Sequence, residues 1–278
     1  MNPNFLPQEH CLVYDSQHGL RDLACCLSQC MPNLNVLQVA EFPEGNAGAW
    51  FFLALHLPLR SLHLCSGAEN ILSTGFLSPE VCASVGALTS LRHLALQFSV
   101  QSFSPLSGLT NLTSLCVLKN YQQIADQDFA DLNCMLPNCL GLKELQIYEL
   151  RHNSSWPPVS DSIRTLKVTR CKLAHLPTLR SLPSLSHLEV DDLMYHVGDG
   201  ETGRQAASAL QDLVGVEFTV RNLEVLFSRD CEPVHSCDGL LQVLSSSTHL
   251  PSGLSSLRLL DVSLQPRQLK QLVGLFPD

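Results

Sequence analysis

The strongest constraint in the sequence is a short pattern, Leu-x-x-Leu-x-[Leu/Ile/Val], that recurs along most of the chain. Its first leucine stands at positions 34, 59, 91, 112, 142, 185, 254 and 257, of which the last two overlap. Leucine makes up 54 of the 278 residues, and at that composition the pattern is expected roughly three times by chance. The excess indicates internal repeats, each long enough for one supersecondary unit.

The best-formed copy runs from Ile163 to Leu173, with the sequence Ile-Arg-Thr-Leu-Lys-Val-Thr-Arg-Cys-Lys-Leu. The alternation of Leu166 and Val168 predicts a short strand with one buried face. Cys171 is small and weakly polar, so it can turn inward where the strand ends. The stretch resembles the leucine-rich-repeat signature Leu-x-x-Leu-x-Leu-x-x-Asn/Cys-x-Leu. The irregular repeat lengths resemble intracellular members of this class, the F-box adaptors and the plant and algal proteins, although no F-box is evident before residue 20.

The order of elements supports the repeats, because a helical segment and a short turn precede most of the predicted strands. Residues 20–31 have a helical period that Pro32 ends. Ser78 and Pro79 are typical of a helix N-terminus, and residues 266–276 predict a last helix. The weakest strand is the one that starts a repeat at Leu223, and residues 214–220 are its competitor.

These patterns predict an α/β fold, a curved solenoid of the leucine-rich-repeat horseshoe type. Each repeat has one apolar strand edge and one apolar helical stripe, and neither is buried until repeats stack side by side. The parallel sheet is expected on the concave side, with helices and short helical turns on the convex side. We expect a single domain over residues 1–278, with residues 1–19 as an N-terminal cap and about nine irregular repeats over 20–278.

Composition excludes several classes of function. A net charge of −9 with 17 Lys and Arg disfavours nucleic acid, which is bound through cationic side chains. The longest apolar stretch, residues 47–59, contains His56 and Pro58 and is too short to span a bilayer. No secretory signal is visible, so we expect an intracellular, cytoplasmic protein. The twelve cysteines are scattered, which is typical of reduced, buried thiols, and this interpretation includes Cys25, Cys26 and Cys30.

The outward positions of the predicted strands define a candidate binding surface, because side chains alternate across a strand. The surface is polar, becomes acidic around Glu189 and Asp191, and carries Tyr148 and Phe227 as aromatic anchors. The candidate partner-binding residues are His63, His93, Gln146, Tyr148, Lys167, His187, Glu189, Asp191, Phe227 and Asp261. They predict a non-enzymatic scaffold or recognition subunit that binds a protein or peptide with a basic segment. We expect no cofactor, and either a monomer or a subunit of a hetero-complex.

Two alternatives stay open. The chain could be a structural subunit packed into a large assembly, which large apolar residues on the outer helices would favour. A metal-dependent activity could lie at Cys231-Glu-Pro-Val-His-Ser-Cys237, whose three side chains are metal ligands by type, although an ordinary loop with a buried cysteine is the favoured interpretation. His63, His93 and His187 are too many repeats apart for one zinc site, at about 4.8 Å per strand.

Overall fold

The structure is a computed structural model with two compact units, Met1–Gly141 (unit 1) and Leu142–Asp278 (unit 2). It describes residues 17–39, 47–65, 76–100, 102–117, 132, 134–150, 160–172, 182–197, 216–227, 256–260 and 266–274. The prediction of one domain with a cap at residues 1–19 stays a prediction.

Unit 1 alternates helical segments with short strands. Its helices are α1 Gln17–Cys30, α2 Ala47–Ala54 and α3 Pro79–Gly86, and its 3-10 turns are Ser104–Gly108 and Leu136–Asn138. Its strands are β1 Val36–Val39, β2 Ser61–Leu64, β3 Phe76–Leu77, β4 His93–Leu96, β5 Ser99–Val100 and β6 Ser114–Val117. Strands β1, β2, β4 and β6 are parallel neighbours in that order, while β3 and β5 form a separate parallel pair.

The repeated leucines of unit 1 form ladders that run across its strands. Leu62, Leu94 and Leu115 stand opposite one another in β2, β4 and β6, and each is almost completely buried. Leu64 and Leu96 form the next rung. Burying each of these leucines stabilises the fold by about 1.5–3 kcal/mol. A shift in register would lose that stabilisation, so the ladders fix the register of the sheet.

The helical segments of unit 1 pack in a second layer in the same order as the strands. Helix α1 contacts α2, α2 contacts α3, and α3 contacts the first 3-10 turn. Phe51 and Phe52 of α2 are buried with their rings edge to face. Ser78 caps α3 as predicted, since its side chain accepts a hydrogen bond from the Val81 N–H at 3.3 Å. The core of unit 1 therefore lies between the sheet and the helical layer.

Unit 2 contains longer parallel strands. They are β7 Glu144–Leu150, β8 Thr165–Lys172, β9 His187–Val197, β10 Glu217–Phe227 and β11 Ser256–Leu260, and helix α4 is Pro266–Gly274. The strands are neighbours in chain order. One buried ladder consists of Leu145, Leu166, Leu188 and Phe218, and the next of Ile147, Val168, Val190 and Val220. Stacked parallel strands with short buried ladders are the α/β solenoid architecture that the repeats predict, and they confirm the fold class.

The structure corrects the predicted register of the repeat around Leu223. Phe218 and Val220 stand opposite Leu188 and Val190, so they fill the core positions of that repeat, and residues 223–227 continue the same strand. Leu223 instead pairs with Leu193, which pairs with Cys171. The error arose because the leucines at 223 and 226 imitate the pattern, whereas the core accepts any apolar side chain of suitable size.

The cysteine interpretation is only partly right. Cys82, Cys139 and Cys171 are buried, and burial, with a contribution from the Glu80 carboxylate, raises the pKa of the Cys82 thiol to about 12. Cys25, Cys26 and Cys30 are exposed, so their placement in the core was wrong. In α1 the buried residue is Ala24 among those whose side chains are described, and the helix contacts α2.

Helix α3 and the first 3-10 turn approach so closely that only glycine fits between them. A Cβ atom on Gly86 would lie 2.1 Å from the Pro105 carbonyl oxygen, and one on Gly108 would lie 2.8 Å from the Gly86 oxygen. Both obstacles are backbone atoms, which cannot rotate away. The two helical segments therefore depend on this glycine pair for their spacing.

We predict that Gly86→Ala lowers the free energy of unfolding by about 1–3 kcal/mol, the range for overpacking a tight interior. Alanine normally stabilises a helix by about 0.5–1 kcal/mol relative to glycine, so the sign is reversed here. Denaturant unfolding measures the change. Gly274→Ala in α4 is the control, because nothing lies within 4 Å of its Cβ position and the stability should hold or rise. A neutral or stabilising Gly86→Ala would contradict the close approach.

Candidate binding face on the parallel sheet

The exposed face of the unit 2 sheet carries the side chains that alternate with its buried ladders. The register places Gln146, Lys167 and Glu189 in one row across β7, β8 and β9. His187 lies in the neighbouring row, opposite Glu217 of β10. With Asp191, also on β9, the structure therefore brings five of the predicted binding residues together on adjacent strands.

A chain of ion pairs crosses this face. Lys167 Nζ lies 3.3 Å from Glu144 Oε1 and 3.7 Å from Glu189 Oε2. Arg221 contacts Glu189 Oε1 through Nη2 and Asp191 Oδ1 through Nη1, at 2.5 Å and 3.2 Å. We call these five residues the charged face. Exposed pairs of this kind contribute only about 0–1 kcal/mol each to stability, so their main effect is to hold long side chains in place.

Asp191 and Asp192 both reach the surface because the alternation of β9 breaks between them. Val190 and Leu193 are buried on either side, while the two aspartates are half-buried. Asp192 Oδ1 accepts a hydrogen bond from Asn222 Nδ2 at 3.0 Å, and Asp191 contacts Arg221. The break places two carboxylates side by side at the end of the regular part of the strand.

Competing electrostatic effects act on the Asp191 carboxyl. Burial is the largest of them and raises its pKa, and the Arg221 guanidinium opposes that rise. The carboxylates of Glu189 and Asp192 raise the pKa further, and Lys167 lowers it. The net direction is upward although Asp191 touches a cation, because partial burial and two neighbouring carboxylates outweigh the attraction. Burial of the carboxyl is therefore the main reason that its pKa is raised.

His187 lies between a hydroxyl and a carboxylate. Its Nδ1 is 2.8 Å from Ser186 Oγ and its Nε2 is 2.9 Å from Glu217 Oε2. The residue types match a hydrolase triad, but the Ser186 hydroxyl also donates to the Arg164 carbonyl oxygen at 3.1 Å. The histidine and glutamate side chains are more than half exposed, whereas an acid–base site works in a desolvated setting. We assign these contacts to positioning the imidazole on the face.

Unit 1 carries the predicted residues His63 and His93 on its own exposed sheet face. His63 of β2 stands opposite Ala95, and His93 of β4 stands opposite Ser61, so the imidazoles occupy neighbouring rows. Burial, followed by the charge of His93, lowers the pKa of His63. Among the described residues, no group of three or more His, Cys, Asp or Glu side chains is arranged to hold a metal ion.

The remaining predicted residues are only partly within the described structure. Tyr148 is a backbone position within β7, and Phe227 ends β10 opposite Val197; the side chains of both lie outside the described residues. Asp261 lies outside them altogether, as does the Cys231–Cys237 segment.

Sequence reasoning missed Arg221 and Glu217, which both lie on β10 of the unit 2 sheet. Glu217 precedes the buried Phe218, and Arg221 follows the buried Val220. The wrongly predicted register therefore left both out of the predicted outward positions. The alternation of Phe218, Thr219 and Val220 was the available signal. With that register, Arg221 follows the second core position of β10 just as Asp191 follows Val190 in β9.

Comparison with known proteins gives a fold likeness only. No family model matches the sequence and no curated protein matches it. A structural-genomics protein from Bacteroides fragilis is similar with a TM-score of 0.49 and 10% identity, over 91% of this chain and 74% of that one. An internalin C2 from Listeria monocytogenes is similar with a TM-score of 0.32 and 17% identity, over 84% and 74%. Neither likeness is strong enough to carry an argument about function.

None of the helices within the described ranges combines the length and the apolar character that a bilayer crossing requires.

We predict opposite shifts of the Asp191 pKa from two neutralising substitutions. Arg221→Gln raises it, because a stabilising cation is lost, and Glu189→Gln lowers it, because a repelling carboxylate is lost. Carboxyl-detected NMR titration measures both, with Arg164→Gln as a control outside the strands. In the wild type, the raised pKa means that Asp191 contributes its full stability at pH values below the pKa that it has in the unfolded chain. This stability is lost as the pH rises through the pKa that Asp191 has in the folded protein. Shifts of the same sign would contradict the assigned contacts.

Proposed function

We propose that this chain is a non-enzymatic protein-interaction scaffold or recognition subunit, which binds a protein or peptide partner on the exposed sheet face of unit 2. The observation that carries the proposal is the charged face, Glu144–Lys167–Glu189–Arg221–Asp191, which links four adjacent strands through consecutive ion pairs. These side chains are ordered and still in contact with solvent, with 30% to 62% of their surface exposed.

Order before binding is an advantage for such a surface. Immobilising a long side chain at an interface costs about 0.5–1.5 kcal/mol, and the lysine and arginine of the charged face are already held between carboxylates. The underlying strands are fixed by their buried ladders, so the face keeps its shape when a partner arrives. A rigid array of alternating charges favours partners with a complementary array and disfavours others.

The balance of charge defines the partner's chemistry. The described part of the unit 2 face combines five carboxylates with four cations, and the cations are Lys167, Arg170, Arg221 and Arg258. The surplus is concentrated where Asp191 and Asp192 lie side by side. The partner we propose therefore presents a basic segment to this end of the face.

The other predicted residues complete the proposal. Tyr148 serves as an aromatic anchor, the residue type that most often dominates binding energy, and Gln146, His187 and Asp261 extend the polar surface. His63 and His93 belong to a second candidate surface, on unit 1. We further propose an intracellular, cytoplasmic protein of the F-box or plant and algal repeat type, acting as a monomer or within a hetero-complex.

The proposal predicts that Asp191→Asn lowers partner recovery in affinity purification by about tenfold, which corresponds to ~1.4 kcal/mol. The loss follows from removing the carboxylate that attracts the basic segment. Asp161→Asn is the matched control, with the same change of charge at an exposed residue between strands. A second comparison uses Tyr148→Ala. Recovery that stays at the wild-type level in all these variants would refute binding at this face.

A structural subunit of a large assembly is the second candidate, and exposed leucines in unit 1 favour it. Leu53 of α2 is 54% exposed, and Leu140, which follows the second 3-10 turn, is 82% exposed. Leu53 projects from a helix, and Leu140 from the turn between the 3-10 segment and β7. We rank this function below binding at the charged face, because single exposed apolar side chains are normal on soluble proteins.

This second function predicts that Leu53→Gln with Leu140→Gln releases the protein from a large species. Size-exclusion chromatography with light scattering, applied to the protein purified under native conditions, measures the change. The single variant Leu269→Gln in α4 of unit 2 is the control, since Leu269 is 50% exposed. A wild-type protein that elutes alone at its own mass of 30.6 kDa would rule out the assembly.

A further inference from the structure

Helix α1 of unit 1 presents three cysteines to solvent, which is unusual because cysteine is among the most buried residue types. Cys25, Cys26 and Cys30 are all exposed. The Sγ atoms of Cys26 and Cys30 lie 3.8 Å apart and share a hydrogen bond. The helix that carries them is anchored, since Ala24 is buried and Ser28 Oγ accepts a hydrogen bond from the His56 N–H at 3.1 Å.

The spacing of the two thiols does not suit a disulfide. Residues four apart on a helix have Cβ atoms about 5–6 Å apart, whereas a disulfide requires about 3.5–4.5 Å. Oxidation would therefore require the last turn of α1 to unwind. The distance does suit a shared metal ion, because two thiolates at about 2.3 Å from a tetrahedral zinc ion lie roughly 3.8 Å from each other.

The position in the helix also favours a cation. Cys30 is the last residue of α1, and the final turn contains no basic side chain. The carbonyl groups of a helix C-terminus carry partial negative charge, which stabilises a positive ion within the last turn. A metal ion held by Cys26 and Cys30 would lie at this end.

We propose that Cys26 and Cys30 form a two-thiolate site for a thiophilic d10 metal ion such as Zn²⁺. On binding, two S–H bonds break, two sulfur–metal bonds form and two protons pass to solvent, with no change in oxidation state. The chain supplies two ligands, and solvent or another molecule completes the coordination. The site lies on α1 in unit 1 and is independent of the charged face of unit 2.

Native mass spectrometry of the full chain tests the site, with the protein kept reduced by a phosphine and supplied with a small excess of Zn²⁺. Cys26→Ser and Cys30→Ser should each retain one Zn²⁺ fewer than the wild type. Cys25→Ser, on the same exposed helix, is the matched control and should keep the wild-type content. The site is overturned by equal zinc content in the wild type and in either pair variant, and also by a loss of zinc in Cys25→Ser.

A second measurement needs no substitution. Zn²⁺ should slow the alkylation of Cys26 and Cys30 in the wild-type protein at least tenfold while leaving Cys25 unchanged, as read by peptide mass spectrometry. Equal protection of all three cysteines, or of none, would also overturn the two-thiolate site.

Discussion

The structure depends on ladders of buried side chains that run across neighbouring parallel strands. Leu62, Leu94 and Leu115 form one ladder in unit 1, and Leu166 belongs to its counterpart in unit 2. Each ladder fixes a strand's register, because a slip of one residue would move every core side chain to the solvent face. The register also determines which side chains the sheets expose to solvent.

The charged face is a consequence of those ladders. Lys167 lies between Leu166 and Val168, so it must point outward, and the register then places it between Glu144 and Glu189. No local preference of the lysine could select these partners, since both come from other repeats. The register of the buried ladders determines where these side chains lie. The ion pairs only order side chains that are already in position.

The core requires apolar side chains of suitable size and not particular residues, which explains why the repeats tolerate irregular sequences. Leu193 and Leu223 continue the position held by Cys171, and Phe218 replaces a repeat leucine. Apolar side chains of suitable size fill the core in each case. Where backbone meets backbone, at Gly86 and Gly108, no such exchange is tolerated, because the clash is with atoms that cannot repack.

The sequence by itself determined the fold class, most strand positions and the outward direction of Gln146, Lys167, His187 and Glu189, because period-two alternation is a local property of the chain. It could not determine the register around Leu223, since the core accepts Phe218 and Val220 as readily as leucine, and Arg221 was missed with it. Only the tertiary structure decided which charges meet and that Cys26 and Cys30 face solvent. Both depend on which elements stack against each other, and that information lies in contacts between distant residues.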